Sequence, residues 1–247
     1  MNQSELFAGK IMDLIRRSDS GRGMAFSSFL TAEEAAEAER ICRREHVLFV
    51  LYGGYDDAER QILGISDMER DFLIPCFPLV LMRVVGAEVS LLTNRDVLGA
   101  LMGAGIRREV LGDIIARKGE VYIFAMDHMA NYLIQNITEI GRYRVKLEEC
   151  PLDSPLPSLE FDVQRFTVPS LRVDAVVSSL SRTSREKSSE LINGKLVYLN
   201  HSLVEKKTKE IQKGDSIVVR GHGKWIVDEC DSMTKKGRIV LICRKYV

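Results

Sequence analysis

Half of the chain's six prolines, Pro151, Pro155 and Pro157, fall within one short stretch around Asp153 and Ser154. Proline fixes its own φ, lacks the N–H that a helix interior or a central strand needs, and pushes the residue before it out of the helical region. Residues 151–168 therefore read as a stiff linker. It ends in a strand, Leu159 to Val168, where Phe161 and Val163 alternate with Asp162 and Gln164. The break divides 247 residues into a body and a tail, long enough together for two or three small domains with modest cores.

Charge divides near the same place. Residues 168–247 carry 16 Lys+Arg against 9 Asp+Glu, and the rest of the chain 19 against 26, so a formal net charge of zero hides a basic tail on an acidic body. The apolar share (45%) and charged share (28%) are those of an ordinary soluble protein. The five cysteines are odd in number, scattered and never arranged as CxxC, which fits reduced thiols better than a disulfide framework or a zinc site. The first twenty residues interleave Glu5, Lys10, Asp13 and Arg16 with apolar positions, unlike a signal peptide. The most apolar stretch, Ile74 to Leu92, is broken by Pro75, Pro78, Arg83 and Glu88, unlike a membrane span. A cytoplasmic protein without membrane partners is expected.

The body reads as two parts. Residues 1–73 form a small N-terminal α/β unit. A first helix places Leu6, Ile11, Leu14 and Ile15 on one face, and after a Gly21/Gly23 break Thr31 and Glu34 make a capping-box pattern ahead of a helix to Glu45. Val47 to Tyr52 is a strand, Gly53-Gly54 a turn, and Gln61 to Ile65 a partner strand. Residues 74–150 run strand (Leu79 to Ala87), helix (from Asp96), strand (Gly112 to Arg117), strand (Val121 to Met126), helix (Asp127 to Ile140) and strand (Tyr143 to Leu147). That is the βαββαβ order of a ferredoxin-like plait, and the fold class is α+β.

The tail, residues 169–247, starts with Ser170 as a candidate N-cap and a short helix with Val173, Val177 and Leu180 inside. Ser184 caps a second helix that ends at Gly194. A strand, Leu196 to Asn200, a turn around His201, the basic run Lys206-Lys207-Thr208-Lys209 and a Gly214-Asp215 turn into Ile217-Val218-Val219 complete it. Arg172, Arg182, Arg185 and Lys187 share a two-helix face with Lys206 and Lys207 nearby, a spacing of cations that can straddle phosphates without entering the deep groove of A-form RNA. Asp174 reads as a structural residue that orients Arg172 or a backbone group.

Arg172-x-Asp174, Ser184-Arg185 at the start of helix two, Val197-x-Leu199-Asn200 and Gly214-Asp215 occur in the order found in the S4 RNA-binding domain, and the tail resembles that αL-like domain over about fifty residues. His201 stands where the family usually has Gly. The resemblance implies RNA contacts by Arg172, Arg182, Ser184, Arg185, Lys187, Asn200, Lys206 and Lys207. Upstream, Thr93-Asn94-Arg95-Asp96-Val97-Leu98-Gly99-Ala100-Leu101-Met102-Gly103, Gly105-Ile106-Arg107-Arg108-Glu109 and Gly112-Asp113-Ile114 resemble the middle domain of YlmH-type S4 proteins, bacterial proteins often encoded beside cell-division genes. In those relatives the residue before the Arg-Asp pair is often His; here it is Asn94. This resemblance implies a second RNA surface on the plait, with Arg95, Arg107 and Arg108 as candidates. The bland reading stands beside it: Asp96 caps its helix, Gly99 and Gly103 allow close packing, and Arg107, Arg108 and Glu109 are a solvated helix start.

Catalytic signals fail. There is no second Gly-Arg-Leu-Asp segment of a pseudouridine synthase, Gly103-Ala104-Gly105 is too short for a methyltransferase loop, and Ser232 to Lys236 reads as a charged hairpin turn. The four histidines lack metal-ligand spacing, so no catalytic residue, metal or cofactor is expected. Trp225 is either buried against the last strands or free to stack on a base. The expected protein is a non-catalytic factor that binds rRNA and possibly tRNA, with nothing in the sequence requiring more than a monomer; the family resemblance points to the large ribosomal subunit and to quality control of stalled peptidyl-tRNA complexes. An RNA-modifying enzyme with an unrecognised site, or a division-linked factor holding a protein partner on its acidic half, remain as alternatives.

Overall fold

Ile62, Leu63 and Ile65 are all buried, although neighbouring side chains of a strand point to opposite faces. Such a strand must be covered on both sides, and the computed structural model shows what covers it. The structure describes residues 3–56, 58–158, 161–200, 202–235 and 237–246. They fall into two compact units, 1–157 and 158–247.

In the first unit, β1 (Met24–Leu30), β2 (Phe49–Tyr52) and β3 (Gln61–Ser66) form an antiparallel sheet with β3 in the centre. Helices α1 (Gln3–Arg17) and α2 (Ala32–Arg44) join Leu63 and Ile65 in one core through Ile11, Leu14, Ala38 and Ile41. Ile62, Phe29 and Val50 belong instead to the core of the following plait, together with Leu81 and Phe124. The sequence reading assigns no strand to residues 24–30, where Ser27 and Ser28 interrupt the alternation; the Ser27 hydroxyl meets the backbone N–H of Leu63 at 2.9 Å. The capping box forms as read, with Glu34 N–H donating to Thr31 Oγ1 and Thr31 N–H to the Glu34 carboxylate. Leu6 does not join the buried face of α1; it is 47% exposed.

After the single-turn helix α3 (Arg70–Leu73), the plait follows in the expected order: β4 (Leu79–Val85), α4 (Asn94–Gly103), β5 (Leu111–Arg117), β6 (Glu120–Met126), α5 (Ala130–Asn136) and, after the small hairpin β7 (Glu139–Ile140) and β8 (Tyr143–Arg144), β9 (Lys146–Cys150). The strands lie in the order β5-β6-β4-β9, all antiparallel, which is the ferredoxin-like arrangement. The second helix is shorter than its apolar spacing suggests. A 3-10 turn precedes it and Ile137 leaves helical geometry (φ −96°, ψ 86°), so Leu133 and Ile137 are buried while Ile134 stays exposed.

The loop before β3 is fixed to β5 by the carboxylate of Asp113, which accepts from Tyr55 Oη (2.8 Å) and from the backbone N–H of Glu59 (2.7 Å) and Arg60 (3.1 Å). The buried Arg60 guanidinium donates to the carbonyls of Phe29, Arg108 and Leu111. Gly112 lets the two layers meet, since a Cβ there would lie 2.7 Å from the Phe29 ring and 2.8 Å from Phe124 Cβ. Gly99 and Gly103 face open space instead of a packed neighbour, contrary to the close-packing reading.

The second unit holds β10 (Phe161–Val168), α6 (Val173–Leu180), α7 (Arg185–Asn193), β11 (Val197–Leu199), β12 (Ser202–Leu203), β13 (Ser216–Val219), β14 (Gly223–Met233) and β15 (Ile239–Tyr246). Its sheet order is β10-β15-β14-β13-β11-β12. Val173, Val177 and Leu180 pack with Leu191, Ile192 and the inward residues of the sheet, Trp225 among them. The Trp225 indole N–H donates to Gln164 Oε1 at 3.1 Å, which settles its place as core rather than as a stacking platform. Along β10, Gln164 turns toward Trp225 on the core side, and Val163 is 66% exposed. The residue in left-handed conformation after α7 is Lys195 (φ 57°), not Gly194. Thr234 and Gly237 close the β14–β15 hairpin as a turn. His201 and Lys236 lie outside the described residues.

Candidate nucleic-acid interface

Helix α6 has no side-chain cap: its N-cap is Arg172, and Ser170 does not serve. Its first N–H groups find carbonyls elsewhere. Val173 N–H donates to Lys209 O (2.8 Å) and Asp174 N–H to Lys207 O (3.3 Å). Orphan donors of a first helical turn need such partners, and here the need draws the basic loop 206–209 against the start of α6. A bridge between Arg172 and Glu210 extends the seam.

Asp174 organises the cations. Its carboxylate is only 10% exposed, and it accepts from Arg172 Nε (3.2 Å) and Nη2 (3.3 Å), Arg185 Nη2 (3.2 Å) and the backbone N–H of Ala175 (3.0 Å). Burial alone would raise this carboxyl, but the Arg172 hydrogen bond and the charges of Arg185 and Arg172 hold it below the ordinary carboxylate range. The two guanidinium groups, 43% and 54% exposed, thus present fixed N–H edges to solvent. The Ser188 hydroxyl donates to Asp174 O at 2.8 Å and locks α7 onto α6.

Ser184 is the N-cap of α7, accepting from Lys187 N–H at 3.2 Å. Lys187 is exposed and paired with Glu190 at 2.8 Å. Arg182 occupies the turn between the helices with φ 53°, and neither it nor Lys206 and Lys207 has a side-chain partner among the described residues. Arg172, Arg185 and the Lys206-Lys207 loop are therefore brought together, with Arg182 at the turn between α6 and α7. Asn200 serves a different purpose. With φ 48°, it donates from Nδ2 to Asp215 (2.7 Å) and accepts Ser216 N–H at Oδ1 (2.8 Å), which ties the β11 turn to the Gly214-Asp215 turn.

On the plait, the expected second set divides. Arg95 is exposed beside Asp96; the N-cap of α4 is Thr93, not Asp96, and Thr93 Oγ1 accepts Asp96 N–H while the Asp96 carboxylate accepts Thr93 N–H at 3.0 Å. Arg107 is 77% exposed and pairs with Glu109 at 3.0 Å. Arg108 is half-buried and donates to Leu111 O and Gly112 O; burial, then the neighbouring Arg60 charge, lower its pKa to about 10. Asn94 accepts the N–H of Ala116 at 2.7 Å and so fastens α4 to β5. Sequence reasoning misses Arg60, because its partners lie 31 to 51 residues away and leave no local pattern.

Residues 77–154, the plait, match the family model described as "Putative RNA-binding domain in YlmH". Over 221 residues the chain is 33% identical to the "Ribosome-associated protein quality control protein P2" of Bacillus subtilis, covering 87% of this chain and 84% of the relative. A solved structure, "Cell division protein ylmH from Streptococcus pneumoniae", superposes with a TM-score of 0.56 at 16% identity, over 64% of this chain and 96% of that one; this is a likeness of fold. Fold and matches together define an α+β protein that carries an RNA-binding domain. The chain belongs to the YlmH family.

No described helix is long and apolar enough to cross a membrane. Among the described residues, no group of His, Cys, Asp or Glu has the arrangement of a metal site.

Proposed function

We propose that this chain is a non-catalytic, monomeric cytoplasmic factor that binds rRNA, or an rRNA and tRNA junction, on the large ribosomal subunit. Its S4-like tail grips the RNA, and its task is quality control of stalled peptidyl-tRNA complexes. The observation that carries this reading is the Asp174 cluster, which holds Arg172 and Arg185 against the loop of Lys206 and Lys207. Charged N–H edges held in place cost little further ordering when they meet phosphate oxygens, and a rigid basic face suits the backbone and shape of a folded RNA. The ribosome-associated quality-control relative supports the setting. In this reading a second contact on the plait falls to the exposed Arg95 and Arg107, whereas Arg108 is already engaged by backbone carbonyls.

The test is in-cell crosslinking of the tagged chain with sequencing of the attached RNA, beside an Arg182→Glu/Arg185→Glu variant. Crosslinks concentrated on large-subunit rRNA and tRNA in the wild type, and lost in the variant, are expected. Scattered crosslinks that the variant leaves unchanged would overturn the reading.

A further inference from the structure

Side chains that leave the C-terminal sheet on the side away from its core form a second surface of different chemistry. Strand pairing sets Tyr198 opposite Val218, Val218 opposite Lys224, and Tyr246 opposite Phe161. Since Trp225 pairs with Lys245, Lys224 lies beside Tyr246, and one row crosses five strands. With strands ~4.8 Å apart, Tyr198 and Tyr246 are separated by roughly 14 Å, and the Phe161 ring is 5.0 Å from that of Tyr246. A cation accompanies every ring: Arg220 on Tyr198 at 5.0 Å, Lys224 on Tyr246 at 4.7 Å and Arg244 on Phe161 at 4.8 Å. The alternate residues Val219, Trp225, Val227 and Cys243 are buried in the core, so the row belongs to the opposite face.

We propose that this sheet face binds single-stranded RNA, with bases stacked on the three rings and phosphates met by the adjoining cations. The inference is independent of the helix face described above. Aromatic rings beside cations are what single strands require, because every base has a π-face and every linkage a negative charge. A protein partner is disfavoured by the same pattern, since covering cations at the centre of an interface demands carboxylates in matched positions. Of the carboxylates on this face, Asp228 is bound to Arg244 at 2.9 Å and Glu229 lies toward the far end beside Ile242. The exposed Val163 and Arg165 on β10 extend the surface past Phe161.

The full chain would be titrated against a fluorescent single-stranded uridine oligoribonucleotide, with a Tyr198→Leu/Tyr246→Leu variant that keeps apolar bulk but removes two π-faces. Binding roughly ten-fold weaker or worse is expected, while Arg182→Glu/Arg185→Glu stays closer to wild type on this ligand. Arg220→Gln, at an exposed position, reads the same face should the paired substitution unfold the sheet, with an expected loss of roughly three-fold. Absence of wild-type binding to the oligomer, or wild-type affinity in a folded ring variant, overturns the proposal. So does a photo-crosslinker at position 163 that captures polypeptide in cells instead of RNA. Because the two variants act on different faces, failure of the helix-face reading leaves this result legible.

Discussion

Asp174 is an acid in the middle of the basic surface proposed to meet phosphate, and its value lies in geometry, not charge. A count of charges alone predicts that Asp174→Asn, by removing a negative charge, tightens RNA binding. The structure predicts the opposite: without the carboxylate, Arg172 and Arg185 lose their common anchor, and affinity falls in a fluorescence titration despite the added positive charge. The same substitution should destabilise the chain by about 1–3 kcal/mol at neutral pH. Since the folded carboxyl titrates below its unfolded value, its stabilisation is complete above the ordinary carboxylate range and is lost as the pH falls through the folded pKa. The gap between wild type and variant in urea unfolding should therefore narrow only as the pH falls below the ordinary carboxylate range. At this scale the sequence was partly legible. The sequence reads Asp174 as orienting Arg172 or a backbone group, and it does both, but the second arginine is eleven positions on, and Asn200 finds Asp215 fifteen positions on. Partners that distant follow from the fold and leave no mark in the local pattern.

Elements were read best where their ends carry their own chemistry. Thr31 with Glu34, and Ser184 at the start of α7, satisfy helix N–H groups locally, and both sit where the sequence puts them. Ser184→Ala should cost about 1 kcal/mol in thermal or denaturant unfolding. It should also weaken RNA binding, since α7 carries Arg185. Helix α6 was misread at its start for the complementary reason: its donors are satisfied by Lys207 and Lys209 carbonyls, which no spacing announces. β1 escaped because its serines break the alternation, and α5 was drawn too long because Ile137 remains buried after the helix has ended. On β10, period-two alternation separates Phe161 and Val163 from Asp162 and Gln164 but does not say which set faces the core, since that side is chosen by Trp225, sixty-one residues from Gln164.

At the scale of the molecule, the separation of charge between an acidic body and a basic tail sets how binding responds to ions. Phosphate-dominated association should weaken steeply with salt, and Arg185→Ala should reduce the slope of log affinity against log salt by about one unit. A complex indifferent to salt would contradict the electrostatic account. The βαββαβ order of the plait was legible from alternating periodicities, and the two helices followed by strands of the tail from their apolar spacing; the sharing of a core between residues 1–73 and the plait was not. That sharing rests on β3, whose Ile62 lies in one cluster and Leu63 in another. Neither layer can lose its partner without exposing apolar surface, and cooperativity follows from such mutual cover. In a scanning calorimeter, residues 1–157 are expected to take up heat in a single peak, with no temperature at which the plait outlives the sheet before it.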